Sequence, residues 1–275
     1  MKKQLCLIAL FLVTAISTWG WGRLGHATVA RIAEQHLTKK AKKEIAKILN
    51  NESIVLYASY PDEEKTSKHM LYDFGVDFTD GSKHVNTLPH TFESDMNFKP
   101  FRGFNDNGRY VNNCIYFIET YADNLKNNKN LSQKEKFIQL VSIVHFVGDM
   151  HCPEHVRYNP EDMTIGKYPI KYNGVDTRYH TYWDELCLTS RFPFSFSDIA
   201  YLVDVYTPEQ YKEIVKGDPY DWGADVAKCA YPIHKIKEGD TLTRNWILHT
   251  ATPLLKSQLA KAGCRLAELL NRIFE

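Results

Sequence analysis

The sequence lacks the features that mark membrane proteins, proteins that coat nucleic acid, and several common enzyme classes. Beyond residue 20, no stretch approaches the roughly 18 uninterrupted apolar residues of a membrane-spanning helix. The 34 Lys and Arg residues nearly balance the 33 Asp and Glu residues, so no basic excess is available to hold nucleic acid mainly by its phosphates. Neither a GxSxG nucleophile elbow nor a Walker phosphate loop occurs. Any grip on phosphate must therefore be local, and bound cations are one way to provide it.

The first 20 residues have the pattern of a secretory signal peptide. Lys2 and Lys3 supply the positive start, residues 5–16 form an apolar run, and residues 17–20 are a small-residue exit. The apolar run is too short to span a bilayer. We therefore expect residues 1–20 to be removed, and residues 21–275 to form one soluble domain that is secreted or periplasmic.

The cysteines are few and scattered. Of the six, Cys6 lies in the predicted signal, which leaves an odd number in the mature chain: Cys114, Cys152, Cys187, Cys229 and Cys264. Their spacing matches no zinc ribbon or CxxC motif. They are therefore interpreted as core thiols, or as one or two disulfides at most.

Apolar residues recur with helical spacing over much of the chain. The periodicity predicts a helix over residues 25–49, broken near Thr38 and stopped by Asn50 and Asn51. Ser132 followed by Glu135 predicts a capping box. Further predicted helices cover residues 112–125, 132–151, 181–188, 208–215, 224–229 and 241–274, whereas residues 53–108 read as irregular and 157–179 as a loop or hairpin. The fold class is accordingly predicted as all-α, with long irregular loops.

The strongest local signal is the segment HFVGDMHCPEH, which holds His145, Asp149, His151 and His155 within eleven residues. On a helix, His145 and Asp149 lie one turn apart and about 40° from each other, so both can face one ion. Pro153 then turns the chain and can deliver His155 to the same cavity from another direction. Imidazole and carboxylate are ligands that zinc accepts.

Two further segments carry ligand-type residues. In HTYWD, His180 and Asp184 again share a helical face, 25 residues beyond His155. In WGRLGH, Trp21 is the predicted first residue of the mature chain, and His26 lies at the start of the first predicted helix. Cleavage after Gly20 would free an α-amine with a reference pKa of about 7.7 to 8.0, which a metal ion readily deprotonates.

Together, these ordered motifs resemble the zinc-dependent single-strand nuclease and 3′-nucleotidase family typified by the fungal nucleases S1 and P1, which also has plant and bacterial members. The similarity runs from Trp21 to Phe274. It includes the WGRLGH start, the ASYPD segment ending in Asp62, KHVN with His84, the HFVGDMHCPEH and HTYWD segments, and the terminal AGCRLAELLN stretch. A fold like that of this family and of the zinc phospholipases C is therefore expected.

The resemblance implies three zinc ions per chain. One would take Asp62, His84, His145 and Asp149. A second would take the amine and carbonyl of Trp21, His26 and the shared Asp149. The third would be held by His155, His180 and Asp184. Spacing alone does not identify Asp62 and His84, because the irregular stretch also offers other candidates, namely His69, Asp73, Asp77 and His90, of which His90 is the main rival to His84.

Several residues depart from the family pattern. The phosphate-clamping arginine three residues after Asp62 is Lys65, which keeps the charge but loses bidentate geometry. The aromatic residue that commonly follows the histidine is Val85 here, and an acidic residue found nearby in fungal members is replaced by Thr87. In the HFVGDMHCPEH segment, Cys152 and Glu154 replace the usual glutamine and leucine. Directly before His180, Arg178 and Tyr179 replace asparagine and leucine. Metal binding is expected to survive these changes.

The function implied is metal-activated hydrolysis of single-stranded DNA or RNA and of 3′-nucleotides, leaving 5′-phosphates. Asp62, Asp149 and Lys65 are the candidate catalytic residues. No protein nucleophile is required, because zinc lowers the pKa of bound water to about 7. Two alternatives stay open at this point. One is a zinc-dependent phospholipase C, and the other is a zinc-binding relative without catalytic turnover, suggested by Lys65, Val85 and Thr87.

Overall fold

Helices dominate the part of the chain that the computed structural model describes, which comprises residues 21–62, 90–102, 113–159, 165–191 and 193–275. In chain order the α-helices are α1 (Arg23–His36), α2 (Lys39–Ile48), α3 (Cys114–Asn127), α4 (Gln133–Met150), α5 (Tyr179–Thr181), α6 (Cys187–Thr189), α7 (Phe196–Val203), α8 (Pro208–Ile214), α9 (Pro219–Ala230), α10 (Arg244–Trp246) and α11 (Thr252–Phe274). The all-α fold class predicted from the sequence is confirmed.

Short non-α turns connect or extend these helices. A π-helical turn, Tyr182–Leu186, joins α5 to α6, and a second one, Ile247–Ala251, joins α10 to α11. Turns of 3₁₀ helix occur at Ile54–Tyr57, Pro153–His155, Ile165–Lys167 and Tyr231–Lys235. Such π turns are rare and are found frequently at functional sites.

Two small sheets accompany the helices. Strands β1 (Phe92–Ser94) and β2 (Val156–Tyr158) are parallel neighbours, and Phe92 is in register with Val156. Strands β3 (Pro169–Tyr172) and β4 (Val175–Arg178) form an antiparallel hairpin. The hairpin confirms the prediction for residues 157–179. The β1–β2 pair was not predicted, because three-residue strands carry no periodic signal and their partners are far apart in sequence.

The predicted helix boundaries follow from identifiable caps. The Thr38 side chain accepts a hydrogen bond from the Ala41 N–H, so α2 begins where the break was expected. Asn50 and Asn51 both adopt positive φ angles of 52° and 65°, which ends the helical path. At the start of α4, Ser132 and Glu135 form the predicted reciprocal capping box.

The site depends on helix α4, which is buried without interruption from Ile138 to Met150. Helices α1, α3 and α11 all contact it, and α11 also packs along α1. Any polar side chain on this length of α4 is thereby removed from water and needs a partner within the protein. Among the described residues, no helix has the length and apolarity that crossing a membrane demands.

Candidate metal centre

Helix α4 places His145 and Asp149 one turn apart, and both side chains are fully buried. His145 Nε2 lies 3.1 Å from Asp149 Oδ2. Between them on the helix, Gly148 has no side chain, and a Cβ atom there would come within 2.7 Å of His26 Nδ1. The glycine of the HFVGDM segment therefore gives the imidazole of His26 room to lie against α4 beside the two predicted ligands.

The first group of ligand-type atoms comprises Asp62, His90, His145 and Asp149. His90 Nδ1 lies 2.6 Å from Asp149 Oδ2 and 3.6 Å from Asp62 Oδ1. His145 Nε2 is also 3.6 Å from Asp62 Oδ1, and 3.1 Å from His90 Nδ1. Two imidazoles and two carboxylates thus converge on one point, with Asp62 the most exposed of the four, at 11% of its side chain.

The second group lies at the start of α1. His26 stacks on His145 with a centroid separation of 4.1 Å, and His26 Nε2 is 3.5 Å from Asp149 Oδ1. Trp21 is fully buried. The neighbouring Gly22 N–H donates a hydrogen bond of 2.6 Å to the Asp184 carbonyl. The first described residues are therefore fastened beside the cluster.

The third group combines the 3₁₀ turn Pro153–His155 with α5 and its π turn. His180 Nε2 is 2.8 Å from Asp184 Oδ2, and His155 Nε2 is 4.0 Å from Asp184 Oδ1. Glu154 is fully buried beside them, with Oε2 2.5 Å from His180 Nδ1. Asp149 Oδ1 lies 3.6 Å from His155 Nδ1, so this one carboxylate contacts all three groups.

Hydrogen bonds fix the orientation of three of the imidazoles. His145 Nδ1 is 2.9 Å from the Ala58 carbonyl, and His155 Nδ1 is 2.8 Å from the His90 carbonyl. Since a carbonyl oxygen only accepts, each Nδ1 carries the proton and each Nε2 presents its lone pair to the cluster. The Nδ1 of His180 similarly faces the Glu154 carboxylate. Metal-binding histidines are typically held in this way.

Buried polar atoms in the cluster fit a bound cation. Several of these atoms are buried and form no well-aligned hydrogen bond, although imidazole nitrogens lie as close as 2.6 Å to Asp149 Oδ2 and 2.8 Å to Asp184 Oδ2. They are both ring nitrogens of His26, both carboxylate oxygens of Asp149 and of Asp184, and Nε2 of His155. Unsatisfied buried groups are rare and costly, so their concentration at one place calls for a further partner. Nitrogen and oxygen ligands of this kind suit zinc, and a cation would satisfy them together.

Charge within the cluster is unevenly compensated. Burial raises the pKa of the Asp184 carboxyl well above its usual value, although His180 opposes the shift. Burial acts in the same direction on Asp149, but His145 and His90 outweigh it and hold the pKa of that carboxyl well below its usual range. Burial thus disfavours the charged form of Asp184, which a nearby cation would favour.

The structure brings together the side chains of seven of the nine predicted metal-binding residues: His26, Asp62, His145, Asp149, His155, His180 and Asp184. Trp21 lies buried at the start of this region. His84 and the candidate catalytic residue Lys65 lie outside the described residues. His90 occupies a position next to Asp62 and His145, where the resemblance placed His84.

Two residues of this cluster were not assigned to it from the sequence. His90 precedes β1 and His155 precedes β2, so the parallel pairing of these strands brings both histidines to the same edge. The sequence names His90 only as a rival to His84. Its place in the cluster depends on the pairing of strand β1 with β2, which the sequence alone does not predict. Glu154 was noted as a departure from the family pattern but given no role.

His151 is turned away from the cluster despite its place in the HFVGDMHCPEH segment. Its Nδ1 is 2.8 Å from the Val147 carbonyl, and its Nε2 is 3.0 Å from the Arg265 guanidinium. Burial, helped by the positive charge of Arg265, lowers the pKa of His151 to about 3. The ring is neutral and its hydrogen-bonding capacity is used, as expected of a structural residue.

Comparison with known proteins agrees with this geometry. The S1/P1 nuclease family matches residues 21–275. Endonuclease 2 of Arabidopsis thaliana is 25% identical over 286 residues, covering 96% of this chain and 93% of that protein. Nuclease S1 of Aspergillus oryzae is 28% identical over 189 residues, or 67% of this chain and 60% of that protein. Nuclease P1 of Penicillium citrinum is 25% identical over 169 residues, or 60% and 57%. The chain belongs to the S1/P1 nuclease family.

Proposed function

We propose that this protein, a phosphoester hydrolase of the S1/P1 nuclease family, cleaves single-stranded nucleic acid and 3′-nucleotides with three zinc ions held around Asp149. In this assignment Asp62, His90, His145 and Asp149 hold one ion. The Trp21 amine and carbonyl, His26 and Asp149 hold the second, and His155, His180 and Asp184 hold the third. The assignment keeps every ligand that the resemblance implies except that His90 replaces His84.

The observation that carries the proposal is the position of Asp149. Its two carboxylate oxygens are fully buried and lie within 3.6 Å of ring nitrogens from four different histidines: His26, His90, His145 and His155. A carboxylate so placed can bridge two cations. No other carboxylate among the described residues has this set of neighbours.

The choice of His90 over His84 is supported by the contacts of His90. Its Nδ1 lies 2.6 Å from Asp149 Oδ2 and 3.6 Å from Asp62 Oδ1. The family pattern has an acidic residue near the histidine, and Glu93, which is acidic and buried, follows His90 closely. The aromatic position after the histidine becomes Thr91, so this spacing still supplies no aromatic platform for a base there.

The open side of the cluster indicates where substrate approaches. Asp62 and His180 expose 11% and 23% of their side chains, whereas Asp149 and Asp184 are buried. Bound zinc would activate water near neutral pH and neutralise charge on the phosphate. In this assignment Asp62 would hold an ion at the more exposed side of the cluster, Asp149 would fix the spacing of the ligands, and Lys65 would contact the phosphate as a point charge.

The protein is also proposed to act outside the cytoplasm. The pattern of residues 1–20 supports removal of a signal peptide, which would free the Trp21 amine for the second ion. The proposed signal cleavage and the proposed second zinc site therefore both depend on Trp21.

The proposal is tested by zinc content together with substrate choice. Elemental analysis of the purified mature protein is expected to give three zinc ions per chain. Denatured DNA and RNA should be cleaved much faster than duplex DNA, and 3′-AMP should be dephosphorylated. Prolonged chelation should abolish these activities, and zinc should restore them. Hydrolysis of phosphatidylcholine instead would support a phospholipase, and three zinc ions without cleavage of any substrate would indicate a non-catalytic relative.

The role of Trp21 has its own test. One additional alanine before Trp21 should remove the free amine from the cluster and lower the zinc content by one ion. Cleavage of DNA should fall by about 100-fold or more, because even residues that only hydrogen-bond to a metal ligand contribute about 10- to 100-fold. Circular dichroism should be unchanged. Full activity of the extended protein would show that the Trp21 amine is not a ligand.

A further inference from the structure

Glu154 is a buried acid beside the third group of ligands, at a position where the family pattern has leucine. It lies in the 3₁₀ turn Pro153–His155, directly before His155, and its side chain is fully buried. A buried carboxylate is costly unless it is paired and hydrogen-bonded. Its neighbours therefore explain why it is tolerated and what it does.

Both oxygens of the Glu154 carboxylate have partners. Oε2 is 2.5 Å from His180 Nδ1, and Oε1 accepts a 3.1 Å hydrogen bond from the Arg157 guanidinium. Arg157 also donates a hydrogen bond to the Glu154 backbone carbonyl, so the guanidinium contacts both the side chain and the backbone of Glu154. The positive charge of Arg157 balances the buried negative charge.

The backbone leaves space for this acid. Gly166 lies in the 3₁₀ turn Ile165–Lys167, and a Cβ atom added to it would overlap Glu154 Oε1 and approach the Cβ of His180 to 3.4 Å. Any larger residue at position 166 would have to displace the Glu154 carboxylate. Gly166 therefore leaves the space that the Glu154 carboxylate occupies, and Arg157 supplies its hydrogen-bond donor.

The contacts place Glu154 behind His180. His180 Nε2 is 2.8 Å from Asp184 Oδ2, whereas Glu154 is on the Nδ1 side of the same ring. An imidazole that binds an ion through Nε2 directs Nδ1–H away from it, and a carboxylate there fixes the tautomer and raises the basicity of the ligand. His145 and His155 have neutral backbone carbonyls at the equivalent place. His180 instead has a charged acceptor, which forms a stronger hydrogen bond.

We infer that Glu154 is a positioning residue that orients His180 for the third ion, and that the protein retains this ion more tightly because of it. The inference rests on the proposed function, since it presupposes that His155, His180 and Asp184 bind a cation. Arg157 and Gly166 act through Glu154 by holding its carboxylate in place. Glu154 itself does not contact the ion.

The test measures the affinity of each ion separately in the variants Glu154→Leu and Glu154→Gln. Glutamine keeps the shape, but its amide cannot accept from both His180 and Arg157, because one of its two polar atoms only donates. Stepwise competition with a chromophoric chelator should show one of three zinc ions held about 10- to 100-fold more weakly in Glu154→Leu. The loss should be smaller in Glu154→Gln, and the other two ions should be unaffected.

Gly166→Ala supplies an independent variant, because it displaces the carboxylate without removing it. The same single ion should be weakened. Glu268→Gln is the matched control, because Glu268 also pairs with an arginine, Arg272, at 2.9 Å on helix α11. The zinc affinities of this variant should equal those of the unmodified protein. Cobalt substituted at the weakened site should show an altered visible spectrum in the Glu154 and Gly166 variants only.

The outcomes separate this inference from the proposed function. If the unmodified protein retains no zinc, the proposed function fails. If it binds three ions and Glu154→Leu binds them equally well, the metal centre stands and the positioning role is overturned. A zinc-loaded structure with a Glu154 oxygen about 2.0–2.2 Å from the ion would also overturn it, because Glu154 would then be a direct ligand. Should Glu154→Leu fail to fold, the Glu154→Gln and Gly166→Ala titrations decide the question.

Discussion

Two buried polar clusters contact the end of helix α4, and they differ in how their polar atoms are satisfied. Asp149 belongs to the candidate metal centre, and His151, two residues later, belongs to a network around Arg265. The two positions lie on nearly opposite faces of the helix. Both clusters hold histidine and aspartate among buried residues, so composition alone does not distinguish them.

The Arg265 network is complete within the protein. The Arg265 guanidinium is 2.7 Å from Asp225, 3.0 Å from His151 and 2.8 Å from the Ile214 carbonyl. Lys261 donates a further 2.7 Å hydrogen bond to Asp225. Each donor meets an acceptor, and opposite charges are in contact. This pattern is what a structural network requires.

The candidate metal centre is less completely satisfied within the protein. The oxygens of Asp149 and Asp184 and the nitrogens of His26 form no well-aligned hydrogen bond. Imidazoles lie beside both carboxylates, but the polar atoms here are not satisfied as they are around Arg265. The comparison teaches that a set of ligand-type residues is best recognised by what its polar atoms still lack, and it predicts opposite responses of the two clusters to substitution.

The largest effect is expected for Asp149→Asn. Removing the shared carboxylate should lower zinc content by at least one ion and reduce cleavage of denatured DNA by more than about 100-fold, since even outer-shell partners of a metal contribute about 10- to 100-fold. Elemental analysis and initial rates measure both. The matched control is Asp225→Asn in the Arg265 network, which should keep all zinc. Full zinc occupancy in Asp149→Asn would contradict the bridging role.

An intermediate effect is expected for Arg265→Met. This change leaves Asp225 with Lys261 and the Cys229 thiol as partners, and it leaves the His151 Nε2 without its donor. The free energy of unfolding should fall by about 2–4 kcal/mol, somewhat below the loss for a fully buried pair because Asp225 is about one-third exposed. Urea denaturation measures the change, and zinc content should stay at the unmodified value. Arg31→Met, at a partly exposed pair with Glu34, should lose about 1 kcal/mol or less. Equal losses in the two variants would mean that the buried network contributes little.

The smallest effect concerns pH. Burial raises the pKa of Asp225, but Arg265 and Lys261 outweigh it and lower the pKa to about 2. Because the folded pKa lies below the ordinary value of 3.8, this contribution to stability is present above about pH 4 and is lost as the pH falls toward 2. Urea denaturation of Asp225→Asn alongside the unmodified protein, between about pH 5 and pH 3, should show a shallower acid dependence in the variant. Identical slopes would remove Asp225 from the acid response.

The sequence predicted the parts of the site that are encoded locally. His145 and Asp149 lie one turn apart on a helix whose capping box is also visible in the sequence, and the HTYWD spacing similarly placed His180 and Asp184 together. These predictions depend only on helical geometry. The breaks at Thr38 and at Asn50 were equally local, because side-chain capping and positive φ are properties of single residues.

What the sequence did not predict depends on contacts between distant segments. His90 is brought to the cluster by the β1–β2 pairing, which joins chain positions more than 60 residues apart. Helix α7 was also missed, although its capping box at Ser195 and Asp198 has the same form as the one that was recognised at α4. For Glu154, the arginine three residues later was a readable hint of a pair, but its approach to His180 required the fold.

The hydrogen bond from Gly22 to the Asp184 carbonyl has a consequence for the proposed maturation. If residues 1–20 are removed as proposed, this bond would tie the new end of the chain to the turn that carries a ligand assigned to the third ion, while Trp21 is assigned to the second. An error in processing would then affect both ions. Correct trimming would thus couple the proposed export of the protein to the completion of its metal centre.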